Sequence, residues 1–294
     1  MGSGECVAVE RTESGLRLNE LPRARIVIVN YNGAGYIAAA IESALGQSAP
    51  CEVVVVDNAS SDDSIGKIST QFPSVRIVQS PVNLGFGAGA NLGASGCECE
   101  YVALLNPDAV ATPQWIERIT TWMSGRNVDF ASSIVSGNGM PFFAGGRWSP
   151  PLGAALSAHR GEQTDWISGC ALVARTRAFA VLNGFDPQFF LYCEDVDLCL
   201  RAREKEMRLR LYAEPLVHHP SHGMSTDRMG RGRKLCIAYA SKGRLIRRHV
   251  RGLRILSAIA FQVLVSPAAN GVSWRDYPAV VSAFLSGVRI GSKA

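Results

Sequence analysis

The stretch Tyr101–Ala109, which reads YVALLNPDA, decides the fold and supplies the first candidate site residue. Five apolar or aromatic residues lead into Asn106, Pro107 and Asp108, and a short apolar run closed by proline predicts a buried strand that stops abruptly. Open α/β sheets bind ligands in the crevice beyond the carboxyl ends of their strands. Asp108 is therefore a candidate ligand for Mg²⁺ or Mn²⁺, which one or two carboxylates can hold together with substrate phosphates. The alternative is that Asn-Pro-Asp is only a turn, because all three residue types favour turns.

The segments on either side of this strand alternate between strand and helix patterns. Strands are predicted at residues 25–30, 52–56, 75–78 and 101–105. Alternation at this spacing predicts a parallel, doubly wound α/β sheet. The first two strands run into Asn30-Tyr31-Asn32 and Asp57-Asn58. Because the carboxyl ends of parallel strands meet at one edge of a sheet, we expect Tyr31, Asp57 and Asp108 to lie there together.

A glycine-rich segment, residues 83–93 (NLGFGAGANLG), separates the third and fourth strands and has two interpretations. Gly87, Gly89 and Gly93, with Asp108 about twenty residues later, resemble a dinucleotide fingerprint and would indicate a nicotinamide-dependent oxidoreductase. That fingerprint belongs on the first βα turn, however, and two strand–helix units precede this segment. We therefore favour small residues that let a helix pack closely on the sheet and let a phosphate or sugar approach.

A second cluster, residues 189–203 (FFLYCEDVDLCLRAR), delivers three acids to the first turn of a predicted helix. Asp197 has a structural explanation, since it can pair with Arg201 at i,i+4 as an exposed ion pair, and acids suit helix N-termini. Glu194 and Asp195 follow an aromatic loop, and a carboxylate placed in a cleft beside a second carboxylate is suited to act as a general base.

Three later segments complete the set of candidates. Residues 136–163 are rich in Gly, Pro and Ser and predict long, partly mobile connections. Residues 166–175 predict a strand in which Trp166 is either a sugar platform or a core residue, and Gly169 permits a close approach of the backbone. Residues 215–225 hold three histidines, one of which could join Asp108 on a metal ion.

The composition of the chain indicates which classes of protein it can belong to. The chain has 294 residues, 47% hydrophobic and 19% charged, with a net charge of +5, which suits a large globular domain with or without an appendage. Basic residues lack interleaved aromatics, so no nucleic-acid partner is expected. Eight cysteines without CxxC spacing argue against a zinc site and a disulfide framework. The first residues lack the pattern of a signal peptide, so we expect a cytoplasmic protein.

The C-terminal segment differs from the rest of the chain in its composition. Residues 228–254 repeat Arg and Lys among apolar residues, and residues 255–265 are almost continuously apolar but too short to predict a membrane span. One interpretation is a helical segment that lies on the anionic inner face of a membrane. The other is a helical cap that packs on the preceding domain.

Taken together, the motifs resemble one family. VNYN, VDNASSD, NLGFGAGANLG, LLNPDA, WISGCALVAR, GFDPQFFLYCEDVDLCLR and VHHPSHGMS occur in an order similar to that of inverting family-two glycosyltransferases of the GT-A fold, particularly their rhamnosyltransferase-like branch. The likeness spans roughly residues 25–225. It implies a GT-A catalytic domain over residues 23–227, preceded by a flexible tail at 1–22 and followed by the helical segment at 228–294.

The resemblance also assigns roles to residues. It places the nucleotide at the first strand ends and the metal and diphosphate at Asn106-Pro-Asp108, where asparagine stands in place of the first acid of a DxD element. It makes Asp195 the base with Glu194 beside it, and His219 a metal ligand. Trp166 and Gly169 are expected on the acceptor or sugar side. The residues expected to bind the donor are Asn30, Tyr31, Asn32, Asp57, Asn58, Asn83, Gly85, Phe86, Asn91, Asn106 and Asp108.

The implied activity is transfer of a sugar from a nucleoside diphosphate to a hydroxyl of a glycan or polyprenyl-linked acceptor, with Mg²⁺ or Mn²⁺ as cofactor and a role in cell-envelope polysaccharide synthesis. dTDP-rhamnose is the first choice of donor and a UDP-sugar the second. A non-catalytic sugar-binding relative is a further alternative, and both a homodimer and peripheral membrane contact are compatible with the sequence.

Overall fold

The computed structural model describes residues 23–137, 140–142, 145–157, 163–219 and 229–289. The predicted tail at 1–22 therefore lies outside the described residues, as do parts of the predicted connection at 136–163 and of the histidine segment. The strands are β1 (Ala24–Asn30), β2 (Cys51–Asp57), β3 (Arg76–Gln79), β4 (Tyr101–Leu104), β5 (Val110–Ala111), β6 (Phe130–Gly137), β7 (Met140–Phe142), β8 (Gly145–Ser149), β9 (Ala154–Ser157), β10 (Trp166–Ile167), β11 (Leu172–Arg175) and β12 (Leu209–His218). The α-helices are α1 (Ile37–Leu45), α2 (Ser64–Gln71), α3 (Phe86–Ala94), α4 (Trp115–Arg126), α5 (Thr176–Val181), α6 (Glu194–Glu204), α7 (Arg231–His249), α8 (Arg254–Ala260), α9 (Ser266–Ala269) and α10 (Tyr277–Arg289).

The main sheet has the order β3-β2-β1-β4-β11-β6-β12-β5, with β7 paired to β6. Strands β3, β2, β1 and β4 are mutually parallel, as predicted, and β12 is parallel to β6. Strand β11 runs antiparallel between β4 and β6. The register pairs Asn30 with Asp57, so the ends of β1 and β2 do lie side by side.

Helices cover both faces of the sheet. Ile26 and Ile28 of β1 join a hydrophobic cluster with α1, α2 and α4, whereas Val27 and Val29 join a second cluster with α3, α5 and α6. Side chains alternate between the two faces of a strand, so an uninterrupted β-branched run is what a strand buried on both sides requires. This arrangement is the doubly wound architecture that the strand–helix alternation predicts.

Glycines bring α3 against the sheet. A Cβ atom at Gly93 would overlap Val27 and lie 2.8 Å from Cγ2 of Val56, and one at Gly89 would lie 2.9 Å from Cγ1 of Val29. Any larger residue at these positions would force the helix away from β1 and β2. The close-packing interpretation of the glycine-rich segment is thus confirmed.

The structure corrects two predicted elements. Residues 166–175 do not form one strand: β10 stops at Ile167, a 3₁₀ turn covers Gly169–Ala171, and β11 starts afterwards in the other sheet. The side chain of Ser168 caps that turn by accepting a hydrogen bond from the Cys170 amide, which competes locally with strand pairing. The connection at 136–163 also contains strands, because β8 pairs with both β9 and β10 in a three-stranded sheet.

The C-terminal helices pack on the part of the chain that contains the main sheet. The hydroxyl of Ser241 in α7 donates to the Leu191 carbonyl at 2.9 Å, and His249 at the end of α7 contacts Asp197 of α6 at 2.9 Å. Tyr239, Ile246, Val280 and Phe284 form the core of this helical unit. None of the helices in the described ranges is both long and apolar enough to cross a bilayer.

Candidate active site

A cavity of about 500 Å³ opens where the parallel strands end. Its walls come from the ends of β1 and β4, from the start of α3, from the 3₁₀ turn and from the loop before α6. Ten of the predicted site residues line it: Tyr31, Asn58, Asn83, Gly85, Phe86, Asn106, Gly169, Glu194, Asp195 and His219. Residues that lie 188 positions apart in the sequence thus meet in one crevice, at the position typical of open α/β sheets.

Asp195 is held with its carboxylate at the wall of the cavity. The Gly169 amide donates to Oδ2 at 3.1 Å, and the Val196 amide donates to Oδ1 at 2.8 Å. Burial raises the pKa of Asp195, these backbone hydrogen bonds lower it, and the net direction is upward from the ordinary value. A carboxylate fixed in orientation and made more basic by its surroundings is suited to accept a proton.

Glu194 is buried beside Asp195 and differs from it in its partners. Its Oε2 atom has no hydrogen-bond partner among the described residues. Burial, and then the neighbouring Asp195 charge, raise the pKa of Glu194 to about 8. Two carboxyls this close do not both ionise readily, so at neutral pH the pair carries one negative charge, which we place on Asp195 because its oxygens accept the hydrogen bonds.

The loop before α6 is pressed against the start of α3. The Phe86 amide donates to the Phe190 carbonyl at 3.0 Å, and Gly85 has a φ of 83°, where a Cβ atom would overlap that carbonyl. Tyr192 and Cys193, the two residues before Glu194, both have a φ of 67°, in the left-handed region that non-glycine residues seldom adopt. The loop that presents the acid pair is therefore held in a strained conformation by its packing.

Asp108 and His219 meet on another wall of the site. Strand β12 pairs with β5 through His218 and Val110, and this places Nε2 of His219 3.0 Å from Oδ1 of Asp108. Asn106 Nδ2 lies 3.5 Å from the same nitrogen. Adjacent ligands of an octahedral ion with bond lengths near 2.1 Å are separated by about 3 Å, so an imidazole and a carboxylate at this spacing fit Mn²⁺ or Mg²⁺. Within the described ranges, no cluster of three or more His, Cys, Asp or Glu side chains is arranged to hold a metal ion.

Polar residues behind the cavity hold the strand ends in place. Asn30 is fully buried and donates to the Ser64 hydroxyl at 2.9 Å, and Oδ1 of Asn32 accepts from the Ser61 amide at 2.7 Å. Oδ1 of Asp57 accepts from the Ser60 amide at 3.1 Å. These three predicted donor-binding residues therefore shape the turns after β1 and β2 and do not line the cavity. Tyr31, in contrast, is 42% exposed at its mouth.

Asn58 connects the second strand end to the glycine-rich segment. Its Nδ2 donates to the side chain of Asn83 and to the Gly85 carbonyl, both at 3.0 Å, and its Oδ1 accepts from the Leu84 amide. The side chain is buried, with 2% exposed. Asn58 and Asn83 thus fix the approach of α3 to the cavity.

Three further predicted site residues do not line the cavity. Asn91 makes a reciprocal pair of hydrogen bonds with the backbone of Phe185, at 2.8 and 2.9 Å, and so anchors α3 to the segment before α6. Trp166 packs against two hydrophobic clusters, which matches its interpretation as a core residue. Asp108 is 4% exposed and reaches the site through His219.

The prediction that Asp197 forms an exposed ion pair is wrong. The side chain is completely buried and contacts two guanidinium groups and an imidazole: Arg201 Nε at 2.7 Å, Arg248 Nε at 3.4 Å and His249 Nε2 at 2.9 Å. Burial alone would raise the pKa of Asp197, but the His249 hydrogen bond and the Arg201 charge outweigh burial and lower it. The i,i+4 spacing identified one partner correctly, whereas the other two come from α7, about fifty residues later.

Sequence reasoning missed part of the cavity wall. Ser168, Cys170, Phe190, Leu191, Tyr192 and Met229 line it as well. The aromatic residues before Glu194 carried a usable signal, since a run of exposed-looking aromatics before clustered acids marks a loop at a site. The left-handed backbone at Tyr192 had no such signal, because neither glycine nor asparagine occurs there.

Comparisons with known proteins agree with this architecture. A family model described as Glycosyl transferase family 2 matches residues 25–182. The N-acetylglucosaminyl-diphospho-decaprenol L-rhamnosyltransferase of Mycobacterium tuberculosis is 26% identical over 239 residues, which cover 69% of this chain and 78% of that protein. Rhamnosyltransferase WbbL of Escherichia coli is 23% identical over 222 residues, which cover 67% of this chain and 83% of that protein.

Solved structures share the fold at low sequence identity. TarS of S. aureus in complex with UDP superimposes with a TM-score of 0.62 at 14% identity, over 92% of this chain and 81% of that chain. A mannosyltransferase from Pyrobaculum calidifontis in complex with GDP-Man and Mn²⁺ gives a TM-score of 0.59 at 18% identity, over 94% of this chain and 77% of that chain. These likenesses confirm the predicted GT-A fold.

Proposed function

Because this chain belongs to glycosyl transferase family 2, we propose that it transfers L-rhamnose from dTDP-rhamnose to a hydroxyl of a glycan or polyprenyl-linked glycan, with inversion at the anomeric carbon. Two relatives are rhamnosyltransferases by name, and one of them is named for a diphospho-decaprenol acceptor. Such an acceptor would place the reaction in cell-envelope polysaccharide synthesis. A UDP-sugar is the second choice of donor.

The observation that carries the proposal is the hydrogen-bonded carboxylate of Asp195 in the cavity. Its two oxygens are oriented by the Gly169 and Val196 amides, which leaves lone pairs free to accept the proton of an acceptor hydroxyl. As that proton is transferred, the hydroxyl oxygen attacks the anomeric carbon in line with the departing nucleoside diphosphate, through an oxocarbenium-like transition state. A single displacement of this kind inverts the configuration and needs no covalent intermediate.

Glu194 keeps the charge of the acid pair low. In its neutral form it lies beside Asp195 without adding a second negative charge, while burial raises the pKa of Asp195. A second carboxylate charge in the same buried space would repel the anionic donor as well as Asp195. We therefore assign Glu194 a positioning and electrostatic role rather than the transfer of the proton itself.

Asp108 and His219 would hold a divalent cation between them, and Asn106 lies within reach of the same point. When bound, such a cation neutralises the charge that grows on the leaving diphosphate. The chain contributes the buried carboxylate of Asp108 and the histidine His219, whose backbone amide donates to the Ser136 carbonyl at 2.8 Å. Diphosphate oxygens of the donor would add to these ligands, so donor and cation should bind together.

The strand ends supply the remaining donor contacts. Tyr31 is exposed at the mouth of the cavity, where a base could stack on its ring, and Asp57 and Asn58 follow the neighbouring strand. The glycines of α3 let the helix start come close to the cavity wall. We propose that the base and ribose lie over β1 and β2 and the diphosphate over the Asn106–Asp108 turn.

The decisive experiment is a thermal-stability screen with nucleotide sugars, followed by product analysis. A ligand at about one hundred times its Kd stabilises the native state by about 2.7 kcal/mol, which corresponds to a rise in Tm of roughly 5 to 10 °C for a chain of this size. We expect dTDP-rhamnose to give this shift only with Mg²⁺ or Mn²⁺. Stabilisation by UDP-sugars alone would support the second donor, and metal-independent stabilisation by NAD would contradict the proposal. Donor binding without turnover toward any acceptor or water would indicate a non-catalytic relative.

A further inference from the structure

The helical run at 254–269 is apolar on its exposed side as well as on its buried side. Ala258, Ile259 and Val263 pack into the core of the C-terminal helical unit. On the other side, Leu256 is 67% exposed, Leu264 is 70% exposed and Val265 is 51% exposed, and Leu253, immediately before the run, is 85% exposed. A helix that only capped the preceding domain needs no apolar side chains beyond its buried stripe, because the solvent-facing positions of such a helix are normally polar.

The buried side of the same run is partly polar. Gln262 is 1% exposed and donates to the carbonyls of Leu152 and Gly153 at 3.1 and 3.2 Å. Ser266 is 3% exposed and hydrogen-bonds with the Tyr239 hydroxyl at 3.0 Å. These contacts fix the rotation of the helix about its axis, so the leucines face outward as a consequence of specific anchoring.

Cationic residues surround this apolar face. Residues 229–275 contain ten Arg and Lys residues and no Asp or Glu. Arg251 and Arg254 lie at the start of the run and Arg275 follows its end, and all three are exposed. Trp274, next to Arg275, is 91% exposed. Exposed tryptophan beside arginine is the composition typical of a membrane–water interface.

From this face we infer that Leu253, Leu256, Leu264, Val265 and Trp274 insert into the outer part of an anionic lipid bilayer, while Arg251, Arg254 and Arg275 contact lipid phosphates. We call these eight residues the lipid-facing surface. The apolar side chains would gain burial in the acyl region and the guanidinium groups would gain attraction to the anionic headgroups. This inference goes beyond the proposed transfer reaction and is tested without measuring it.

The charge around the apolar face distinguishes a bilayer from a second copy of this chain as its binding partner. In a symmetric dimer built on this face, the exposed arginines of one copy would lie near those of the other, and residues 229–289 hold a single acid, Asp276, against eleven Arg and Lys residues. An anionic membrane provides the opposite charge over the whole surface. A bilayer therefore satisfies both the apolar and the cationic parts of the surface.

The test is cosedimentation of the full chain with vesicles of phosphatidylcholine alone and of phosphatidylcholine mixed with phosphatidylglycerol. We expect binding to the mixed vesicles at low salt, and weaker binding both to phosphatidylcholine and at high salt, where the Debye length falls to about 3 Å at 1 M. Leu256→Glu and Leu264→Glu should each weaken binding about tenfold or more. Arg254→Gln should weaken binding to anionic vesicles about fivefold and leave binding to phosphatidylcholine unchanged.

Val181→Glu is the matched control, because Val181 is 58% exposed on α5 and lies outside the lipid-facing surface. It should bind vesicles like the parent chain. If the Tm values of Leu256→Glu and Leu264→Glu equal that of the parent chain, both variants are folded. If the parent chain ignores anionic vesicles, or if Val181→Glu weakens binding as much as Leu256→Glu, the inference is wrong. Sedimentation velocity tests whether the face binds a second copy of the chain. If the parent chain is a dimer and Leu256→Glu dissociates it, the face is a dimer interface and the membrane assignment is overturned.

Discussion

Replacing Asp197 by asparagine tests whether a buried ion network joins α6 to the C-terminal helix α7. The substitution keeps the shape of the side chain but removes a charge that Arg201, His249 and Arg248 share. The side chain of Asp197 is fully buried, and those of Arg201 and His249 are 11% and 3% exposed. Arg201 also donates to the carbonyls of Leu182 and Gly184, so it cannot leave the interior without breaking further hydrogen bonds.

The expected loss follows from leaving the Arg201 guanidinium uncompensated in the interior, whereas Arg248 is 41% exposed and keeps its contact with Asp186. Breaking a buried ion pair by removing one partner costs about 3 to 5 kcal/mol. In urea titrations this loss should lower the unfolding midpoint by about 1 M or more. Because the pKa of Asp197 is lowered on folding, its stabilisation is present above the unfolded-state pKa and is lost as pH falls through the folded-state value. The difference between the parent and the variant should therefore shrink in acid.

The chain contains a matched control for this substitution. Asp63 and Lys67 form an ion pair with the same i,i+4 spacing, but their side chains are 68% and 50% exposed. Asp63→Asn should change the free energy of unfolding by no more than about 0.5 kcal/mol. Equal effects of the two substitutions would refute the assignment of Asp197 to a buried network, as would an Asp197→Asn variant that is as stable as the parent.

Three further predictions address the acid pair, the helix packing and the metal site. Glu194→Gln should be more stable than the parent chain, because the parent must hold a proton on Glu194 or bury a second charge. The difference in free energy of unfolding should grow as pH rises from the ordinary pKa of 4.5 towards about 8, by up to about 1.4 kcal/mol per pH unit. Denaturant titrations at several pH values measure this slope, and a pH-independent difference would contradict the prediction. Gly93→Ala should destabilise the fold by about 1 to 3 kcal/mol, because the added methyl contacts Val56. Gly66→Ala is the control: nothing lies within 4 Å of its added methyl, so it should stabilise the fold by about 0.5 to 1 kcal/mol. Calorimetry that finds the same sign for both substitutions would be inconsistent with close packing of α3. Asp108→Ala should abolish donor binding that depends on Mg²⁺ or Mn²⁺ while the fold persists, and calorimetric titration that finds unchanged affinity would remove Asp108 from the site.

The parallel half of the sheet was predictable from sequence because each of its elements is specified locally. The β-branched run in β1 and the proline after β4 mark strands that are buried on both faces, and polar residues mark where those strands end. Parallel pairing then brings those ends together, so the neighbouring positions of Tyr31 and Asn58 at one edge of the sheet follow from topology. The acid pair itself is adjacent in sequence and needed no long-range information.

Features that depend on distant pairing were not predictable in the same way. The burial of Asp197 depends on His249, and nothing near either residue specifies that contact. The break between β10 and β11 depends on a local cap at Ser168 within an otherwise apolar run. Gln262 determines which side of its helix faces inward, and its partners are carbonyls more than a hundred residues earlier. For Asp197 and Gln262 a tertiary contact overrides the local pattern, whereas at Ser168 a side-chain cap competes locally with strand pairing.

The most direct measurement of the central claim compares donor binding and sugar transfer in Asp195→Asn. Asparagine keeps the shape of the side chain and can still accept the Gly169 amide hydrogen bond, but it cannot take up a proton. The account predicts that the metal-dependent Kd for the donor changes little while the rate of transfer falls about 10² to 10⁴-fold. Glu194→Gln, measured alongside at neutral pH, should retain most of the transfer. Near-normal transfer by Asp195→Asn would contradict the assignment of Asp195 as the general base, whatever its effect on donor binding.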